Sequence, residues 1–160
     1  MRIIIISVML FGLSFNIIGQ SLPKPCKKIT RELDDFSGEI RLSTPYGWNM
    51  PVITKVIDGD AERIYLMLYA NGSTLNVGEE GVTILLDNGG RLTRPNTKID
   101  VDAQDIGWRY STILSLTDDE IDILSNTTIN KFQLYIYEMA IHKKGKTNLM
   151  TQMGCLSDMK

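Results

Sequence analysis

Two cysteines lie near opposite ends of the chain, Cys26 and Cys155, and they are its only cysteines. A bond between them would close a loop of more than a hundred residues, for which the chain-entropy model gives about 4.7 kcal/mol. A nucleophilic cysteine would need a neighbouring base, and the chain has a single histidine, His142. The sequence therefore favours a disulfide, with two free or intermolecular thiols as the alternative.

Acidic side chains form two groups along the chain. One group comprises Asp58, Asp60 and Glu62, and the other comprises Asp100, Asp102 and Asp105. Either group could offer oxygens to calcium, but neither has the glycine and the distal glutamate at the offsets of a calcium loop. A glycosidase would need two carboxylates across a cleft, which spacing in sequence does not reveal. We therefore predict no metal site and no catalytic residue, and solvation of turns and edges accounts for the acids.

The remaining patterns exclude several common chemistries. One histidine and two distant cysteines give no zinc-type spacing, and His142 beside Lys143 is predicted to be a surface residue. The only glycine-flanked loop, residues 78–81, carries two glutamates where a phosphate would lie, so no cofactor is expected. With a formal net charge of -2, the chain lacks the basic surface that nucleic-acid binding requires. The short basic run at residues 143–146 is predicted to be a solvated turn.

Aromatic residues in a loop are the best candidates for binding. Tyr46 and Trp48 lie within residues 45–51, which proline and glycine mark as a loop. Exposed rings on β-sheet domains hold sugars or partner proteins, so the candidate partners are a protein or a glycan at the cell envelope. The alternative is that Trp48 closes one end of a sandwich.

The elements that would position these residues are mostly strands. Apolar and polar residues alternate between turn signals at residues 39–43, 52–57, 63–70, 75–77, 82–86, 91–94, 99–102, 108–116 and 130–139. Residues 63–70 are apolar on both faces, which is typical of a central strand. Turns are predicted at residues 58–60, 71–72 and 88–89, and Pro95 is predicted to end its strand. The pattern predicts a mainly β fold, an antiparallel β-sandwich or barrel-like domain.

Two helices complete the prediction. Thr117 and Glu120 have the spacing of a capping box, which predicts a short helix over about residues 118–125. Leu149, Met153 and Leu156 recur at helical spacing, so a C-terminal helix is expected beside Cys155. Residues 27–36 are compatible with either a helix or a strand.

The first residues resemble an export signal. A positive start at Arg2 precedes an apolar run to Ile18, which predicts a signal peptide over residues 1–20 and a single β-rich domain over residues 21–160. Cleavage is predicted between Gly19 and Ser21. The mature chain would then be periplasmic or secreted, with no membrane span. An uncleaved leader acting as a membrane tether is the alternative.

The leader ending in Gly19-Gln20-Ser21, the order of strand, capped helix and strand over residues 108–139, and the late cysteine resemble small exported β-rich proteins of uncharacterised function in the Bacteroidota. The resemblance implies a secreted β-rich domain and no activity. We therefore expect a non-enzymatic binding or structural module. The alternatives are a secreted enzyme inhibitor, with residues 46–50 or 76–81 protruding, and a carboxylate-dependent hydrolase.

Overall fold

The computed structural model of the chain describes residues 22–47 and 50–159. The predicted leader and Trp48 lie outside the described residues. The strands are β1 (Thr30–Leu33), β2 (Ile40–Ser43), β3 (Val52–Asp58), β4 (Ala61–Gly72), β5 (Glu80–Leu86), β6 (Arg91–Lys98), β7 (Asp100–Ala103), β8 (Trp108–Ser115), β9 (Ile129–Leu134) and β10 (Tyr137–Ala140). The helices are α1 (Asp118–Asn126) and α2 (Lys143–Asp158), and a 3₁₀ turn covers Cys26–Lys28.

The strands form two antiparallel sheets, as in a β-sandwich. The larger sheet has the order β1-β2-β3-β4-β8-β7, and the smaller sheet has the order β10-β9-β5-β6. Neither sheet closes on itself within the described residues, so the sandwich alternative is confirmed. Strand β4 lies between β3 and β8, as its two apolar faces predict.

The core lies between the sheets and α2. Leu66, Leu68 and Ala70 of β4 are fully buried, and they alternate with residues on the outer face of the sheet. Phe132 and Leu134 of β9 face them from the smaller sheet. Because the second sheet and α2 cover only the inner face, outer-face residues of the larger sheet such as Tyr65 and Met67 are half-exposed.

Helix α1 begins as its capping box predicts. The Thr117 hydroxyl accepts a hydrogen bond from the backbone N–H of Glu120, and the Glu120 carboxylate accepts one from the backbone N–H of Thr117. The Arg94 guanidinium also binds the Glu120 carboxylate, at 2.6 Å. This contact ties the start of α1 to the edge strand β6.

The cysteines are joined as the sequence favours. Cys26 and Cys155 form a disulfide with their Cα atoms 6.0 Å apart, which links the 3₁₀ turn to α2. Helix α2 therefore lies against the N-terminal segment. None of the helices in the described ranges is long and apolar enough to cross a membrane.

The turn predicted at residues 71–72 and the strand predicted at residues 75–77 are both wrong. Strand β4 continues to Gly72, which pairs with Trp108, and residues 75–77 form a loop. Only glycine fits at position 72, because a Cβ there would lie 2.5 Å from the Tyr137 ring. The loop is held by hydrogen bonds instead of strand pairing: the backbone N–H of Asn76 donates to the Tyr110 hydroxyl at 2.9 Å.

Pro95 does not end its strand. Strand β6 continues to Lys98 and lies at a sheet edge, where proline is tolerated. A register shift between Glu80 and Val82 of the partner strand accommodates the irregularity.

Residues 130–139 form two strands rather than one. The chain reverses at Tyr135, whose φ is +54°, and Ile136 is 58% exposed although alternation predicts it inward. Alternation of apolar residues continues through the short turn, and therefore it gives no signal of the reversal.

The basic run at residues 143–146 lies in the first turn of α2 rather than in a solvated turn. Lys146 forms an ion pair there, in which its ammonium group lies 2.8 Å from the Asp87 carboxylate. The C-terminal helix is thus longer than its apolar spacing alone predicts.

Candidate ligand-binding site

A pocket opens where β2 and β4 end and β8 begins. Its volume is about 450 Å³, within the range of about 300–1,000 Å³ that is usual for ligand sites. Its lining residues are Tyr46, Tyr69, Asn71, Gln104, Asp105, Ile106 and Arg109. We refer to it as the tyrosine pocket. It contains Tyr46, one of the two residues that the sequence predicts for binding.

Two stacked rings form one side of the tyrosine pocket. The rings of Tyr46 and Tyr69 lie 5.5 Å apart between centroids and 17° from parallel. Tyr69 is only 5% exposed, whereas Tyr46 is 63% exposed. The buried ring therefore supports the exposed one from behind, and Tyr46 presents a flat apolar surface to solvent.

Tyr69 also fixes the loop that carries Tyr46. Its hydroxyl donates to the carbonyl oxygen of Gly47 and accepts a hydrogen bond from the backbone N–H of Met50 at 3.0 Å. Burial raises the pKa of the Tyr69 hydroxyl, while the Met50 N–H opposes that rise. The hydroxyl therefore remains protonated and can donate at neutral pH.

Arg109 supplies the positive charge of the tyrosine pocket. It lies on the outer face of β8, opposite Asn71 of β4, and its guanidinium carbon is 6.0 Å from the centroid of the Tyr69 ring. One terminal nitrogen, Nη2, donates to the Gln104 side chain at 3.0 Å, whereas the buried Nε has no partner among the described residues. The guanidinium is thus held against the aromatic pair with part of its donor capacity unused.

A tight turn between β7 and β8 forms the opposite side. The backbone N–H of Gln104 donates to the Gly107 carbonyl at 3.1 Å, and Gly107 has a φ of +83°. A Cβ at Gly107 would lie 2.6 Å from the Gly72 carbonyl oxygen, so the close approach of the two backbones requires glycine. The turn exposes 94% of Ile106 beside the pocket.

A second cavity adjoins the first at Tyr46. Its volume is about 540 Å³, and Tyr46 lines both cavities. Its charged or ionisable lining residues are Lys24, Lys28, Lys144 and His142. We refer to it as the lysine cavity. His142 precedes the first residue of α2 and is exposed, as predicted.

The two acidic groups identified in the sequence do not form a metal site. Across the described ranges, no three acidic, histidine or cysteine side chains lie close enough together to hold an ion. Asp105 lines the tyrosine pocket, whereas Asp100 and Asp102 lie on the edge strand β7. Strand β7 is at the edge of the larger sheet, where charged side chains discourage pairing with another chain.

Two carboxylates share a third cavity, of about 360 Å³. Glu62 and Asp118 line it together with Lys55. Glu62 binds the buried Lys55 ammonium at 2.8 Å, and Asp118 lies in the first turn of α1. A structural role therefore accounts for both acids.

The sequence did not indicate Tyr69, Arg109 or the lysine cavity. Tyr69 and Arg109 lie on the outer faces of adjacent strands, where alternation predicts a face but no partner. Lys24 and Lys144 are distant in sequence and line one cavity because the disulfide and the hydrogen bond between Gln152 and Pro25 hold their segments together. Comparison with protein-family models, curated proteins and solved structures finds no match.

Proposed function

We propose that the protein is an exported, non-enzymatic binding module that holds its ligand in the tyrosine pocket. The observation that carries the proposal is the Tyr46 ring, which is 63% exposed although it is stacked on a buried tyrosine. Large exposed rings on rigid supports are common binding anchors, because little conformational freedom is lost on binding. Trp48, two residues further along the loop, stays a predicted contributor.

Export is supported by the disulfide and by the predicted leader. Disulfides persist in the bacterial periplasm and outside cells, whereas cytosolic thiols are kept reduced. We propose that residues 1–20 are removed and that the oxidised chain acts in the periplasm or outside the cell. A tether formed by an uncleaved leader would place the same pocket at the membrane surface.

The test is retention of material from bacterial envelope extracts on the immobilised oxidised chain. We expect retention by the wild type and its loss in Tyr46→Ala, because the substitution removes the exposed ring without opening the core. Phe36→Ala is the matched control: Phe36 is fully exposed in the β1–β2 hairpin, at the other end of the larger sheet. Equal retention by wild type and Tyr46→Ala would contradict the proposal.

The same experiment separates the alternatives. A secreted inhibitor would retain one enzyme and lower its turnover, whereas a binding module leaves the retained molecule unchanged. A hydrolase would release products, and their release would stop in Glu62→Gln.

A further inference from the structure

The lysine cavity gathers positive charge from distant parts of the chain. Lys24 lies two residues before the 3₁₀ turn, Lys28 is the last residue of that turn, and Lys144 lies in the first turn of α2. No carboxylate is among the described residues that line the cavity, and none of the three lysines forms an ion pair with a described residue. This concentration of charge contrasts with the formal net charge of -2 for the whole chain.

The positions of the lysine-bearing segments are fixed by covalent and polar contacts. Cys26, between Lys24 and Lys28, is bonded to Cys155 of α2. The Gln152 side chain donates to the carbonyl oxygen of Pro25 at 3.2 Å, so that the same segment is held at a second point. Three exposed lysines therefore line one cavity, where an anion would meet charge of the opposite sign.

Tyr46 connects the lysine cavity with the tyrosine pocket. The residue lines the tyrosine pocket together with the amides of Asn71 and Gln104, which can donate and accept hydrogen bonds, and it lines the lysine cavity together with the three lysines. One ligand in contact with Tyr46 can therefore meet an apolar ring, planar amides and positive charge together.

We propose that the ligand is an anionic saccharide that binds across Tyr46, with a sugar ring on the tyrosine and a carboxylate or sulfate group near the lysines. This inference rests on the proposed function. A sugar ring has an apolar face of C–H groups bordered by hydroxyls, which fits an aromatic surface bordered by amides. Its acidic group would contact lysines that have no partner among the described residues.

An acidic peptide fits the same surface less well. Extended peptides commonly bind by pairing with a free sheet edge, and the edge strand beside the tyrosine pocket is β7. Asp100 and Asp102 of β7 would repel the carboxylates of such a peptide. The tyrosine pocket therefore favours the saccharide.

The experiment is calorimetric titration of the oxidised mature chain with acidic oligosaccharides and their neutral parents. The probes are an oligouronate with its methyl ester and a sulfated oligosaccharide with its unsulfated form. We expect at least one acidic probe to bind more tightly than its neutral parent, and its affinity to fall as ionic strength rises.

Two triple variants locate the charge. Lys24→Gln/Lys28→Gln/Lys144→Gln removes the lysines of the cavity, and Lys27→Gln/Lys98→Gln/Lys143→Gln removes three exposed lysines that do not line it. Both change the net charge equally. We expect the first to weaken binding of the acidic probe about tenfold or more and the second to leave it within about twofold of wild type.

Each outcome decides the inference. Equal weakening by both variants, or no preference of any acidic probe over its neutral parent, overturns it. Retained envelope material that depends on Tyr46 but is destroyed by protease would also overturn it, while leaving the proposed function intact. Absence of any Tyr46-dependent retention would instead contradict the proposed function itself.

Discussion

The ammonium group of Lys55 lies 2.6 Å from the carbonyl oxygen of Met159, at the C-terminal end of α2. The side chain is 2% exposed, and it also contacts the carbonyl of Ser157 and the carboxylate of Glu62. A cation at this position stabilises the negative end of the helix dipole and satisfies carbonyls that have no partner within the helix. Lys55 thereby attaches α2 to the larger sheet.

Lys55→Met should lower the free energy of unfolding by about 1–3 kcal/mol, because it removes a buried charged donor from two part-buried hydrogen bonds to the end of α2. Urea denaturation of the oxidised chain measures the change. Lys131→Met is the control, since the Lys131–Glu138 pair is 2.7 Å long but more than a third exposed on each side, and its loss should cost no more than about 1 kcal/mol. Equal effects would show that Lys55 does not hold α2.

The double substitution Cys26→Ser/Cys155→Ser should lower the free energy of unfolding by about 2–5 kcal/mol, because the unfolded chain gains freedom when the loop is opened. Thermal unfolding and thiol titration of the native protein provide the measurement. Two titratable thiols in the wild type purified under oxidising conditions, or an unchanged midpoint in the double variant, would be incompatible with a stabilising link.

Gly107→Ala should destabilise the β7–β8 turn more than Gly78→Ala does. Both glycines have positive φ, but a Cβ at Gly107 meets the Gly72 carbonyl oxygen at 2.6 Å, whereas a Cβ at Gly78 has nothing within 4 Å. The control therefore has only the backbone penalty, of about 1 kcal/mol. Chemical denaturation compares the two, and a cost at Gly107 no larger than at Gly78 would contradict the close approach of the backbones.

Asp87 should make the free energy of unfolding depend on pH in the acidic range. Hydrogen bonds from Lys146 and Thr128 lower its pKa in the folded state, so its contribution is complete above the unfolded value of about 3.9 and is lost as pH falls through the lower folded value. The difference in unfolding free energy between wild type and Asp87→Asn should therefore shrink below about pH 4. Urea titrations from pH 7 to pH 2 test it, and a difference that does not change with pH would be contrary evidence.

The sequence predicted much of the scaffold. Alternation predicts the central strand β4, and the capping box of Thr117 and Glu120 predicts α1, because both signals are local. The two cysteines indicate the disulfide, because they are the only possible pair. The failures occur where tertiary contacts override local patterns. The dipeptide at residues 71–72 is typical of a turn, but Gly72 lies in a strand, where two tyrosine rings pack over it.

The site was predictable only in part. Tyr46 could be identified because proline and glycine mark its loop, but its partner Tyr69 is simply one residue of an apolar strand in the sequence. The approach of the Arg109 side chain to the Tyr69 ring depends on the register between β4 and β8, which period-two alternation does not specify between distant strands. The lysine cavity is lined by two segments that are distant in sequence and are joined by the disulfide, so no local pattern indicates it.

The most direct test of the binding site is amide hydrogen exchange of the oxidised chain with and without the material retained from envelope extracts. Bound ligand should slow exchange at residues 46–47 and 104–109, which flank the tyrosine pocket, and should leave the Phe36 hairpin unchanged. Protection at residues 34–38 alone, or none near Tyr46, would contradict the assignment of the tyrosine pocket as the binding site.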